Sequence, residues 1–246
     1  KGDPERNRLD QLNDLLNAVL RCREKPDYLI LPELSMPAHW FLAIAGKLQG
    51  KGISLISGVQ YLHGSKQRVH NQVWSALSHD ALGFPATMIY RQDKQTPAPH
   101  EETELKRIGN KTMQPQLKPW PKSSPCPPLI NHGGFQFAML ICSELTNINY
   151  RAALRGKVDT LFVPQWNQDT ESFNALVESA ALDIHAYIVQ CNDRSYGDSR
   201  IRVPHKDSWQ RDLIRVKGGL EDYFVVGEID VAALRKFQSS HRSPSK

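Results

Sequence analysis

Two polar side chains end apolar runs in a way that suits covalent chemistry. Glu33 closes Tyr28-Leu29-Ile30-Leu31-Pro32, and Cys142 closes Phe135 to Ile141. A carboxyl group at the rim of an apolar scaffold holds its proton more tightly than one in water, so it can serve as a general base and then as an acid. A thiol must lose its proton to attack carbon. Cleavage of an amide or nitrile needs that pair and a donor for the charge that develops on oxygen or nitrogen, such as a lysine ammonium or a backbone N–H. Cys, Glu and Lys are a chemically sufficient set, although spacing alone does not bring them together. Each has an ordinary reading as well: a core cysteine, a strand-end surface acid, an exposed loop lysine.

The elements that would position these groups follow from periodicity. Leu9, Leu12, Leu15, Leu16, Val19 and Leu20 fall on one helix face within Arg6 to Arg23. Tyr28 to Leu31 reads as a buried strand, His39 to Gln49 as an amphipathic helix, and Ile53 to Leu62, Val73 to Leu77 and Ala86 to Tyr90 as strands. Asp93 to Pro128 holds eight of the 16 prolines and reads as a long loop. Beyond it come a strand into Cys142, a short helix from Tyr150 to Leu154, and a strand from Val158 to Pro164. A helix from Phe173 to His185, strands at Tyr187 to Gln190 and Tyr223 to Ile229, and a terminal helix from Val231 to Phe237 complete the pattern. Strands alternating with helices give the α/β class. Strand runs come in pairs too often for one doubly wound sheet, so two packed sheets flanked by helices fit better.

The 246 residues are 40% hydrophobic and 23% charged, as in ordinary globular proteins, and suffice for a core without metals or disulfides. The four cysteines are far apart with no CxxC pair, which argues against a disulfide framework or a zinc knuckle and for a reducing, cytoplasmic setting. The nine histidines do not cluster with acids at ligand spacing, so no metal is expected. No apolar run is long enough to span a bilayer. The net charge of +5 fits a mixed surface. It also fits a phosphate-rich partner, which the series Arg200, Arg202, Lys206, Arg211, Arg215 and Lys217 would meet. The opening on Lys1, almost directly in a helix, suggests an excerpt of a longer chain, with one domain over 1–238 and a polar tail over 239–246.

From about Leu9 to Phe237 the pattern resembles the carbon–nitrogen hydrolase (nitrilase) superfamily. Asp27 to Glu33 is similar to its strand ending in Pro-Glu. Tyr90-Arg91-Gln92-Asp93-Lys94 is similar to the segment bearing its lysine, and Leu140-Ile141-Cys142-Ser143-Glu144 to its nucleophile elbow. Gly156 to Pro164, Glu178 to Asn192 and Gly197-Asp198-Ser199 to Pro204 resemble three further segments.

The resemblance implies a four-layer αββα sandwich of two mixed sheets. It implies a Glu33-Lys94-Cys142 triad, no cofactor, a small amide or nitrile substrate and a homodimer or higher oligomer. Lys106 and Lys111 compete with Lys94 on sequence. Glu102 stands where a second glutamate orients the lysine and positions substrate, with Glu101 and Glu104 as alternatives. The Ser143 N–H would be the second oxyanion donor. Glu144 either supports the site or caps the next helix, and Trp166 and Asn167 either line the pocket or, for Trp166, pack in the core. The sequence departs from the pattern at Thr96, where His or Pro is common, and at Thr146, where Arg is. These departures motivate the alternative of a vestigial binding or assembly domain. A second resemblance, at Ser195 to Arg202 and Gly218 to Phe224, is to nitrilase-like domains appended to bacterial reverse transcriptases with anti-phage roles, which would make the partner nucleic-acid-linked.

Overall fold

Tyr28–Ile30, the apolar run ahead of Glu33, forms strand β1 and pairs in parallel with Ser54–His63 (β2), joining Tyr28 to Ser54 and Ile30 to Ile56. The computed structural model describes residues 6–80, 83–117, 119–121, 125–219 and 223–242. They fall into two compact units, Lys1–Lys118 with Gly218–Val226 and Pro119–Lys217 with Gly227–Lys246.

In the first unit helix α1 (Arg6–Leu20) precedes β1, and α2 (Ala38–Gln49) connects β1 to β2. Strands β3 (Arg68–His79) and β4 (Ala86–Asp93) extend the sheet antiparallel, in the order β1-β2-β3-β4. The expected helix face of α1 is the one that packs. Leu16 and Val19 are buried, and Leu12, Leu15 and Leu20 lie against a core of Leu29, Met36, Phe41, Ile44, Leu48, Leu55 and Val59. This clustering of aliphatic surface is the main stabilising term of the unit.

The expected loop from Asp93 to Pro128 is corrected in part, because it contains helix α3 (Pro99–Gly109) and strand β5 (Thr112–Met113), which pairs with β3. Pro99 sits at the first helical position, where a missing N–H costs nothing. Glu101 and Glu102 in the first turn and Lys106 and Arg107 in the last complement the helix dipole. Asn110 closes the helix in the left-handed region, φ 49°. Proline density hid a well-capped helix.

In the second unit the sheet order is β11-β10-β9-β8-β7-β6. Strands β7 (Phe135–Met139), β8 (Thr160–Pro164) and β9 (Tyr187–Cys191) run parallel, and β6 (Ile130–His132), β10 (Ser199–Arg202) and β11 (Asp212–Val216) are antiparallel to their neighbours. Helix α4 (Ile148–Leu154) stands between β7 and β8, and α5 (Thr170–Ile184) between β8 and β9. Phe135, Phe137 and Phe162 form a ring cluster with centroids 5.2 to 6.4 Å apart. Helix α6 (Val231–Arg242) is tied down by Arg235, whose guanidinium donates to both carboxylate oxygens of buried Asp159 at 2.9 and 2.6 Å.

Two further expectations are corrected. Residues 223–229 form no strand; Phe224 instead packs on the first unit's aliphatic core. Helix α6 runs past Phe237 through the start of the expected tail, its last turns held by Ser239 and Ser240 hydroxyls donating to the carbonyls of Arg235 and Phe237. Residues 243–246 of that tail, and 220–222 of the second resemblance, lie outside the described residues. Among the described residues no helix is long and apolar enough to cross a membrane.

Candidate active site

The first unit gathers a buried ionic chain. Lys94 follows β4 directly, and its backbone N–H bonds the Asn71 carbonyl on β3 at 2.9 Å. Its ammonium, 2% exposed, donates to Glu33 Oε1 at 3.0 Å and to Glu101 Oε2 at 2.6 Å. Asn71 Nδ2 donates to Glu33 Oε1 at 2.7 Å and Glu101 Oε1 at 2.9 Å. The Tyr61 hydroxyl donates to Glu101 Oε1 at 2.6 Å, and the Ala98 N–H to its Oε2 at 3.1 Å. Burial alone pushes the Glu101 carboxyl up, but the Lys94 charge and the bonds from Lys94, Tyr61 and Asn71 outweigh it and hold Glu101 below the usual glutamate range. Asp93, also buried, is spent on the loop, accepting from Gln72 Nε2 at 2.7 Å and the Leu117 N–H at 2.5 Å.

Glu101, and not the expected Glu102, is the second glutamate at Lys94. Glu102 is exposed and pairs with Lys106 at 2.8 Å, one turn on along α3. With Pro99 first in the helix, Glu101 is third, the position from which a glutamate reaches back to the cap N–H. That phase was readable from Ala98-Pro99-His100-Glu101. Lys106 is thereby also placed on the surface.

Close packing holds Glu33 in place. The carbonyl of Pro32 accepts from the Gly58 N–H at 3.0 Å, and the Ser35 N–H donates to the Gly58 carbonyl at 3.1 Å. A Cβ on Gly58 would lie 2.4 Å from the Leu34 nitrogen and 2.5 Å from Glu33 Cα, against backbone that cannot swing aside. Gly58→Ala should therefore cost about 2 kcal/mol or more and displace Glu33. A urea midpoint equal to wild type would show that the loop yields freely.

The second unit presents the thiol. Cys142 opens a 3-10 helix, Cys142–Thr146, with φ 49°. A non-glycine residue there stores about 1–3 kcal/mol, found where a turn must present a side chain. Glu144, buried, fastens the turn: its Oε2 accepts from the Ile141 N–H at 2.9 Å and its own N–H donates to the Ile141 carbonyl at 3.1 Å. Glu144 therefore acts as a capping group. Arg151 Nη1 donates to the Leu145 carbonyl at 2.6 Å and pins the far end. The Ser143 N–H lies in the first turn, among the donors a helix leaves to outside acceptors.

The register Met139 to Phe162 and Pro164 to Cys191 carries Cys142, Trp166 and Asn192 past the same C-terminal ends of β7, β8 and β9, where α/β sheets take their ligands. Trp166 is 52% exposed beside the Tyr196 ring, centroids 6.5 Å apart, so it is not core packing. The Asn167 N–H donates to Asn192 Oδ1, and Asn192 Nδ2 returns a bond to the Asn167 carbonyl, both 2.9 Å. None of the four cysteines forms a disulfide. The Cys191 thiol is pushed up to about 12 by burial, with the Asp193 charge adding, which leaves it a poor nucleophile at neutral pH.

The arginine series has inward partners. Arg200 and Arg215 share Asp198, each at 2.6 Å, Arg202 pairs with Asp212 and Glu178, and Arg211 pairs with Glu178. Arg200 and Arg202 are buried. Arg202 with Asp212 ties β10 to β11, Arg215 ties β11 to the residue before β10, Arg202 and Arg211 reach Glu178 on α5, and Lys206 and Lys217 remain exposed.

The sequence matches no protein-family model and no curated protein. Solved structures do match. A CN-hydrolase superfamily protein of Xanthomonas campestris, with an arsenic adduct in its active site, is 15% identical with a TM-score of 0.67 over 97% of this chain and 89% of that one. A Glu-to-Gln mutant of an amidase from Nesterenkonia sp. AN1, showing covalent addition of the acetamide moiety of fluoroacetamide at the active site cysteine, is 18% identical with a TM-score of 0.61 over 98% and 92%. A Cys-to-Ala mutant of that amidase, described as from the nitrilase superfamily, gives 18% and 0.61 over 96% and 90%. The chain thus has the α/β fold of these nitrilase-superfamily proteins, two mixed sheets flanked by helices, as the sequence pattern implied.

Proposed function

We propose that the chain is an amidase-type carbon–nitrogen hydrolase in which Cys142 is the nucleophile, Glu33 the base and Lys94 the cation. The observation that carries the reading is the Lys94 ammonium, buried and held by Glu33 and Glu101. A lysine so placed is of little use to solubility and suits charge stabilisation. The strained turn at Cys142 and the fold shared with amidases support it.

In the reaction the Cys142 sulfur attacks the substrate's carbonyl carbon as Glu33 takes the thiol proton. Lys94 and the Ser143 N–H receive the developing oxyanion. The C–N bond breaks as Glu33 returns the proton to the departing amine, leaving a thioester. Glu33 then takes a proton from water as it attacks, and the acid leaves with Cys142 restored. Trp166 and Asn167 line the substrate side, and the substrate is a small amide or nitrile.

The test is intact-mass spectrometry with limiting iodoacetamide. Wild type should gain one acetamide on Cys142, none in Cys142→Ala, with the rate about 100-fold lower in Glu33→Gln. Slow labelling spread over Cys22, Cys126 and Cys191, unchanged by Glu33→Gln, would refute the assignment.

A further inference from the structure

Asn71 is 1% exposed on β3, and its one amide nitrogen reaches the carboxylates of both Glu33 and Glu101. Its Oδ1 is buried with no hydrogen-bond partner among the described residues. An orphan buried acceptor costs about 1–3 kcal/mol, which an apolar residue of similar shape would not incur. The side chain is thus retained for its nitrogen. Glu101 accepts from four donors, two at each oxygen: Tyr61 and Asn71 at Oε1, Lys94 and the Ala98 N–H at Oε2. A carboxylate so enclosed has no oxygen to spare for a proton.

We propose that Asn71, with Tyr61, is a positioning residue that clamps Glu101 as a permanent counter-ion of Lys94 and sets Glu33 beside the same ammonium, leaving proton transfer to Glu33 alone. This division of labour rests on the reading of Glu33 as base. Its geometry, two carboxylates joined by one amide, does not. The groups around the clamp come from every packed segment: Glu33 after β1, Tyr61 on β2, Asn71 on β3, Lys94 after β4 and Glu101 on α3.

The experiment is a carbon-13 NMR titration of the full chain labelled at glutamate side-chain carboxyls. The Glu101 resonance is identified by its loss in Glu101→Gln. Wild-type Glu101 should titrate below the usual glutamate range, and Asn71→Leu should move it upward. Tyr61→Phe, which removes one oxygen only, should move it upward by less and serves where Asn71→Leu does not fold. With propionamide as probe substrate, Asn71→Leu should lower kcat about 10- to 100-fold with little change in KM, because the residue acts through its neighbours. A lowered melting temperature with an unmoved Glu101 titration in either variant would reduce the pair to ordinary packing and overturn the proposal. If wild type hydrolyses no amide and labels unselectively, the hydrolase reading fails, while the titration still decides the clamp.

Discussion

Lys94→Met is expected to lower stability by about 3–5 kcal/mol at neutral pH, the usual cost of leaving a buried charge without its partner. The ammonium is 2% exposed and touches two carboxylates that are themselves 4% and 12% exposed. Methionine fills similar volume and offers no charge, so Glu33 and Glu101 would stand desolvated and mutually repelling. The sign of the pH dependence follows. In wild type the Glu101 value is depressed on folding, so its contribution is full above the usual glutamate range and is lost as pH falls through the depressed value. In the variant Glu101 loses the Lys94 charge that depresses it, so its protonated form is favoured and acid restores stability. The gap between the two urea midpoints should therefore narrow on acidification, and Lys94→Met with Glu101→Gln should recover part of the loss at pH 7. A deficit independent of pH would mean that the lysine contributes packing alone.

How much of this arrangement was legible depended on whether the signal was apolar or polar. The aliphatic runs that became β1, β2, β7, β8 and β9 were plain, since burial of both faces leaves few alternatives for such segments. Cys142 was legible because a strand ran into it, and Glu33 for the same reason. The polar framework was not. His70, Asn71 and Gln72 are buried on β3, yet they cut the strand short in the sequence reading, because a polar triplet ahead of Val73 looks like a surface. Each has a partner that only tertiary structure supplies: the Gln114 carbonyl for His70, two glutamates for Asn71, Asp93 for Gln72. Arg200 and Arg202 were hidden likewise, as charged residues in a strand buried by Asp198, Asp212 and Glu178. Glu101 differs, because a local signal existed and was masked: only with Pro99 taken as the start of a helix does the phase separate Glu101 from Glu102, and the prolines made that segment read as a loop.

Cys142→Ala is expected to reduce hydrolysis of small amides by a factor on the order of 10⁴ or more, as loss of a nucleophile does when the rest of the machinery remains. It should leave the melting temperature close to that of wild type, since one sulfur atom is removed from a residue 6% exposed. Cys142→Gly separates the two roles of the position. The backbone at φ 49° is easy for glycine and costly for alanine or cysteine. The glycine variant should be equally inactive, yet more stable than the alanine variant by about 1 kcal/mol or somewhat more. A turn that gains stability when its side chain is reduced to a hydrogen is one held in strain to present that side chain, the usual trade where a site must be presented. Ammonia release from acetamide and propionamide, with urea midpoints for the three proteins, measures both effects. Turnover in Cys142→Ala within tenfold of wild type would remove the cysteine from the chemistry. Glycine and alanine variants of equal stability would remove the strain from the turn.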